Sequence, residues 1–385
     1  AALAPLELET QVDPELVADF FALGSCYLQV ELLTRRMHYF SNLDQVQLQR
    51  EVLAAADAAI ADDPEAARAH LRNCFEMLLE ARERFYPVEC YLIDLCLLIP
   101  RLADATLENL LKEDPPFNLL VTAADLDEIS GARPDLIETI RSRWHEGRIN
   151  IVGGEYRELP APQVPLESVL FDFRRGLDVF RKLFGRQPKT WGRRRFGLSP
   201  LMPQLLGKLG YHSAMHLLLD DGIYPDAEQS KIRWEGCDGT ILDAITRIPL
   251  AADGAASFLR FSVRMAESMQ EDQVAAIIFA RWPELRGPWF DDFRRMQRYA
   301  SVLGRFVTFG DFFEQTEDPG RLANHSAGEY LSPFLIQGVA RQEANPISRF
   351  TSHTLRRRDF DSAIWFRNVA RILTGKPLPT AETTG

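Results

Sequence analysis

From Pro87 onward, short apolar runs alternate with amphipathic helical segments roughly every 25 to 35 residues. This rhythm limits the possible folds more than any other feature. Candidate strands cover residues 90–95, 117–122, 148–152, 189–191, 213–218, 241–248, 274–280 and 306–309. Helical patterns intervene at 102–111, 134–146, 167–184, 201–209, 255–269 and 290–301. Parallel strands cannot be joined by a tight hairpin and need a crossover, which these helices supply. So many units in succession favour an irregular (β/α) barrel of seven to eight strands over an open sheet.

The first 87 residues read differently. Asp13-Pro14 is an N-cap followed by a first-turn proline, and apolar residues recur at helical spacing through Leu16, Phe20, Leu23, Tyr27, Val30 and Leu33. A second helix follows Asn42, from about Leu43 to Ala61, and a third opens at Pro64-Glu65. The organisation expected is a helical extension over 1–87 packed on a barrel over 88–320. An irregular segment with a helix at 358–373 and a flexible tail would then fill 321–385.

Composition narrows the partners. A formal net charge of −11 argues against nucleic acid, and 46% hydrophobic residues can fill one large core. The five cysteines are scattered without zinc-ribbon spacing, so buried reduced thiols are expected. No apolar run approaches the length of a membrane span and no leader is visible, which leaves a cytoplasmic location as the default. The chain opens at Ala1 without methionine, so further domains of a longer chain are expected partners.

The candidate site lies around Trp191-Gly192-Arg193-Arg194-Arg195-Phe196-Gly197-Leu198-Ser199. A strand, a glycine-containing turn and a helix follow one another there, and in a barrel such turns form the catalytic face. Three guanidinium groups at that mouth either fork around an anion or pair with internal carboxylates. The carboxylates near strand ends are Asp94, Glu155, Glu158, Asp220 and Asp221, each readable as an acid or base or as a structural partner. Tyr156, Trp191, Trp234 and Trp282 are candidate platforms for a sugar ring, with core packing as the alternative.

Several stretches together resemble the N-terminal catalytic domain of family 38 glycoside hydrolases, the α-mannosidases. They include Pro134–Ile137, His145-Glu146-Gly147-Arg148 with Ile151-Val152-Gly153-Gly154, and Pro188–Trp191. Phe196-Gly197-Leu198-Ser199, Met202–Leu206 and Trp234-Glu235-Gly236-Cys237-Asp238-Gly239 continue the resemblance, which runs from about Cys90 to Phe313. It implies a β/α barrel acting on carbohydrate. It also implies zinc, held in the family by a His-x-Asp pair on the first strand and by the nucleophilic aspartate.

Those family positions are altered here. Leu92 stands at the histidine of the strand Cys90–Leu95 and only Asp94 is kept; Arg194 stands at the nucleophile, and His325 and His353 are the late histidines. An arginine cannot attack an anomeric carbon and its charge opposes a cation. No metal ligand is therefore assigned. A divergent carbohydrate-active domain is expected, with altered or lost zinc catalysis. Arg193, Arg194, Arg195, Tyr156, Trp191 and Trp234 would bind a glycan, for which an anionic saccharide fits the arginines. The alternatives are a non-catalytic glycan-binding or scaffold domain, and a family 57 amylase-like or polysaccharide deacetylase-like enzyme using His212 and His216.

Overall fold

The computed structural model describes residues 12–160, 164–220, 222–225, 228–317, 322–330 and 333–375. The chain divides into two units, Ala1–Leu331 and Ser332–Gly385. The second contains α12 (Phe334–Ala340) and α13 (Ser348–Thr374); the expected irregular stretch thus holds a helix, and the last helix begins ten residues earlier than expected. The tail from residue 376 lies outside the described residues.

The first unit opens with α1 (Pro14–Arg36), α2 (Gln45–Ile60) and α3 (Pro64–Glu83). Each is capped by an aspartate: Asp13 accepts from the Glu15 N–H, Asp44 from Val46 and Gln47, and Asp63 from Ala66. By length and composition α1 is apolar enough to cross a membrane. Its apolar face, with Leu16, Leu23, Cys26, Val30 and Leu33, is instead buried in the protein core, where α1 packs on α3, α9 (Ala255–Glu271) and α10 (Pro288–Met296). Polar contacts fix the docking, with Gln29 Nε2 donating to the Phe258 carbonyl at 2.8 Å and the Tyr299 hydroxyl to Asp19 at 2.6 Å.

The remainder is mixed α/β. Eleven strands form one mostly parallel sheet among the described residues, in the order β11-β6-β7-β5-β4-β3-β2-β1-β9-β8, with β10 also paired to β1. Their ranges are β1 Tyr91–Leu97, β2 Phe117–Val121, β3 Ile149–Gly153, β4 Thr190–Trp191, β5 Ser213–Met215 and β6 Ile232–Glu235. Then follow β7 Ile241–Ile245, β8 Leu250–Ala251, β9 Ala276–Arg281, β10 Arg305–Phe306 and β11 Leu322–Asn324. The crossovers are α4 (Ala105–Lys112), α5 (Ala123–Ala132), α6 (Pro134–His145), α7 (Leu166–Phe184) and α8 (Met202–Lys208), and α11 (Phe309–Gln315) follows β10.

The eight expected strands are all present, but β6, β8 and β11 raise the number to eleven. The β6–β7 pairing is antiparallel, a short hairpin around Gly236 and Gly239 inside the parallel series. The sheet curls strongly. Ile93 of β1, Leu120 of β2, Val152 of β3, Met215 of β5, Ile245 of β7 and Ile278 of β9 meet in one apolar cluster, so strands far apart in the pairing order share an interior.

Strand alternation then assigns faces on β1. Tyr91, Ile93 and Leu95 belong to the interior cluster, whereas Leu92 and Cys96 pack outward under the helices. Asp94 shares the outward parity.

Candidate functional site

The C-terminal ends of the parallel strands form a mouth with two hollows. One, of about 530 Å³, lies between the ends of β1, β5, β7, β8 and β9, and Leu97, Leu219, Tyr224, Ile248, Asp253 and Trp282 line it. The other, about 570 Å³, lies over β2, β3 and β4 and is lined by Asp125, Asp127, Glu128, Glu158, Arg194 and Arg195 among others.

The second hollow is built on two tight turns. After β3, Gly153 and Gly154 have φ of 141° and 125°, and a Cβ on Gly154 would sit 1.6 Å from the Tyr211 hydroxyl. Only glycine fits there, and the turn delivers Glu155 and Glu158 to the mouth. After β4, Phe196 and Gly197 have φ of 73° and 77°. The strained Phe196 is held by its N–H, which donates to Asp220 Oδ2 at 2.9 Å.

The three arginines between these turns differ sharply. Arg193 is 1% exposed and donates to Glu155 Oε1 at 3.0 Å, to the Gly197 carbonyl at 3.0 Å and to the Leu159 carbonyl at 2.8 Å. Arg194 crosses the mouth. Its backbone N–H donates to Glu158 Oε1 at 2.6 Å, Nε to the same oxygen at 3.3 Å, Nη2 to Asp125 at 3.1 Å and Nη1 to the Leu98 carbonyl at 3.3 Å. It thereby ties together the loops after β1, β2, β3 and β4. Arg195 is mostly exposed, with Nε 3.5 Å from Glu158 Oε2 and its guanidinium over the Phe196 ring. Arg193, Arg194 and Arg195 therefore face Glu155, Glu158 and Asp125, and the hollow adds Arg157, Asp127 and Glu128. Among the described residues the guanidinium groups there do not outnumber the carboxylates.

Burial pushes the Glu155 carboxyl up to about 7; Arg193 opposes this, while Glu158 and Asp172 add to it. The folded state favours the protonated acid, so stability present below pH 4.5 is lost as pH rises toward 7. Thermal melts of Glu155→Gln are expected to be flatter than wild type between pH 4.5 and 7. Parallel profiles would show that Glu155 does not titrate in this window.

Several expected site residues lie elsewhere. Asp94 is fully buried on the outer face of the sheet, where Arg281 donates to both its oxygens at 2.8 Å and Arg294 to Oδ2 at 2.7 Å. Its placement at the mouth is corrected: the inward positions at the end of β1 are Leu95 and Leu97. Asp220 caps a turn, accepting from the Phe196 and Gly222 N–H groups. Asp221 lies outside the described residues.

Trp191 and Trp234 are fully buried, and Tyr156 is buried with the Arg175 guanidinium 3.5 Å above its ring. None of the three offers a free face to a sugar. Trp282 is partly exposed and lines the first hollow. It follows β9 directly, at the C-terminal end of that strand. His212 is exposed ahead of β5, while His216 is buried against Trp234, His325 and Tyr330, and burial, reinforced by His325, pushes it down to about 3. The two do not form a ligand pair.

The donor set does not suit the zinc that the resemblance implies. Among the described residues no three His, Cys, Asp or Glu side chains gather where they could hold a metal ion. Leu92 and Arg194 stand at two of the ligand positions that the resemblance implies, and leucine and a protonated guanidinium supply no lone pair. The residues do not fit the ion.

A parallel α/β sheet with its open hollows beyond the strand ends is the arrangement of barrel enzymes and their relatives. Residues 102–253 match the sequence model of the glycosyl hydrolases family 38 N-terminal domain, less than half of the chain. No curated protein matches in sequence.

Among solved structures, a 4-α-glucanotransferase from Thermococcus litoralis is similar at 15% identity and a TM-score of 0.48, over 64% of this chain and 43% of that one. An α-mannosidase from Enterococcus faecalis V583 is similar at 16% identity and a TM-score of 0.46, over 61% and 30%. The α-amylase AmyC from Thermotoga maritima gives 12% identity and a TM-score of 0.46, over 66% and 80%. The chain thus spans less than half the length of the first two.

Proposed function

We propose that this chain is a carbohydrate-binding domain of the family 38 type, holding a neutral glycan at the strand ends without zinc-dependent hydrolysis. The observation that carries the reading is Trp282, a partly exposed indole on a hollow of about 530 Å³ that also presents Tyr224 and Asp253. An indole face stacks on the C–H face of a sugar ring, and a nearby carboxylate accepts its hydroxyl protons. The family match over residues 102–253 supports carbohydrate as the ligand class.

Glycoside hydrolysis needs two carboxyl groups free to act on one bond. Glu155 and Glu158 are engaged by arginines, Asp220 by backbone donors, and Asp94 is buried away from the mouth; among the described residues Asp253 is the one carboxylate that lines the Trp282 hollow. Binding without turnover is therefore favoured over changed catalysis. The matched charges around Arg193, Arg194 and Arg195 favour a neutral glycan over an anionic one.

Titration of neutral manno- and gluco-oligosaccharides, followed by indole fluorescence, tests this. Binding is expected, and Trp282→Ala should weaken it about 30-fold, as the loss of an anchoring tryptophan does. No binding of either series, or an unchanged affinity in the variant, would remove the proposal. Preferential binding of uronate or sulfated sugars would restore the anionic reading.

A further inference from the structure

Helix α2 is docked by one face only. Leu48 and Ala55 are buried, with Val52, Ala58 and Ala59 beside them, and α3 is the main element they meet. On its opposite face Val46, Leu53 and Ile60 are 62%, 56% and 39% exposed, spaced exactly seven residues apart. Residues seven apart on a helix lie in one stripe, the spacing of a coiled-coil seam. Gln49 and Ala56 fill the intervening seam positions. Arg50 and Asp57 run along one flank, both exposed, and neither makes an ion pair or side-chain hydrogen bond among the described residues.

We infer that this stripe is the contact surface for a second copy of the same chain, with the two α2 helices antiparallel and Leu53 on the two-fold axis. Charge and spacing choose the partner. Reversing the helix about Leu53 places Val46 against Ile60 of the second copy and Arg50 against Asp57 of the second copy, twice over. That self-complementarity is what an isologous two-fold interface requires. A parallel pairing instead sets the charged flank against the opposite flank, which carries Gln45, Val52 and Ala59 and no charge. Three apolar residues in a strict heptad row, with opposite charges reciprocally placed around their centre, fit one another better than an unrelated surface. A helix of this length spans about 24 Å. The contact is smaller than a standard interface, so the dimer is weak, with dissociation on the order of micromolar.

Sedimentation equilibrium of the full chain over a range of concentrations tests this. A monomer–dimer equilibrium is expected. Arg50→Asp and Asp57→Arg each replace two attractions with two repulsions and should weaken it about tenfold. The double variant restores the pairing with signs exchanged and should return within about threefold of the parent. A chain that stays monomeric, single variants without effect, or a double variant no better than the singles would each overturn the inference. A stripe covered by another domain of a longer chain would give the first of these results.

Discussion

Replacing Asp94 with asparagine is expected to destabilise the first unit by about 3–5 kcal/mol, the cost of removing one partner from a buried ion network. Asp94 receives three guanidinium hydrogen bonds between 2.7 and 2.8 Å, from Arg281 on β9 and Arg294 on α10. Burial works to discharge both arginines; Asp94 outweighs it at Arg281, whereas the Arg294 guanidinium still ends below its usual basicity. Asparagine keeps the shape and removes the charge, leaving two buried cations with only the partly exposed Glu113 and Asp291 carboxylates nearby. Domain stabilities are commonly 5–15 kcal/mol, so the loss takes a large share. Adding Arg294→Met should recover part of it by removing one uncompensated charge. Chemical denaturation of the three proteins checks this. If Asp94 acted in chemistry instead, the single variant would stay as stable as wild type.

Gly154→Ala is expected to cost about 3 kcal/mol or more through backbone strain and a collision. Its φ of 125° disfavours any side chain, and the new methyl would meet the buried Tyr211 hydroxyl at 1.6 Å. Relief requires either the glycine turn or the Tyr211 ring to move. The ring is wedged against Phe173, and Gly176 of α7 already approaches the Gly154 carbonyl closely. The turn carries Glu155 and Glu158, so Arg193 and Arg194 should loosen with it. Denaturation gives the stability loss, and partnering with Tyr211→Phe separates collision from strain. A rescue by Tyr211→Phe of well under half the loss assigns the larger part to φ. A variant as stable as wild type contradicts the turn geometry.

Much of the architecture was legible in the sequence because its signals are local. The aspartate caps at Asp13 and Asp63 with their following prolines mark two helix starts, and the double glycine at 153–154 marks a real turn. The second helix is capped by Asp44 and starts at Gln45, two residues after the expected Leu43. The α5 helix went unread because it follows β2 immediately, its Thr122 cap serving also as the strand's exit. The β6, β8 and β11 strands are two to four residues long and take their shape from neighbours across the sheet.

Facing was the harder problem at the site. Tyr91–Leu97 is apolar on both sides apart from Asp94, so alternation could not say which face held the interior. The tertiary fold decides it, and it turns Asp94 outward. The same limit applies to Trp191 and Trp234, whose residue type suits a platform and a core equally. Arg193, Arg194 and Arg195 follow one another, yet one is buried, one bridges four loops and one is largely exposed. Apart from the nearby Gly197 carbonyl, their side-chain hydrogen-bond and ion-pair partners come from 34 to 96 residues away in sequence, which no local pattern records.

The mouth therefore combines a strand-end frame with a neutralised centre. Arg194 occupies the place where the resemblance expects an aspartate, and its bonds to Glu158, Asp125 and the Leu98 carbonyl make it a brace between strand ends.

The decisive measurement is the oligosaccharide titration repeated on protein treated with a chelator and on protein supplied with zinc, with the sugar recovered and sized afterwards. The same affinity in both and intact sugar at the end are expected. Hydrolysis or binding that appears only with zinc would contradict this, and would require metal ligands from residues other than those that line the mouth.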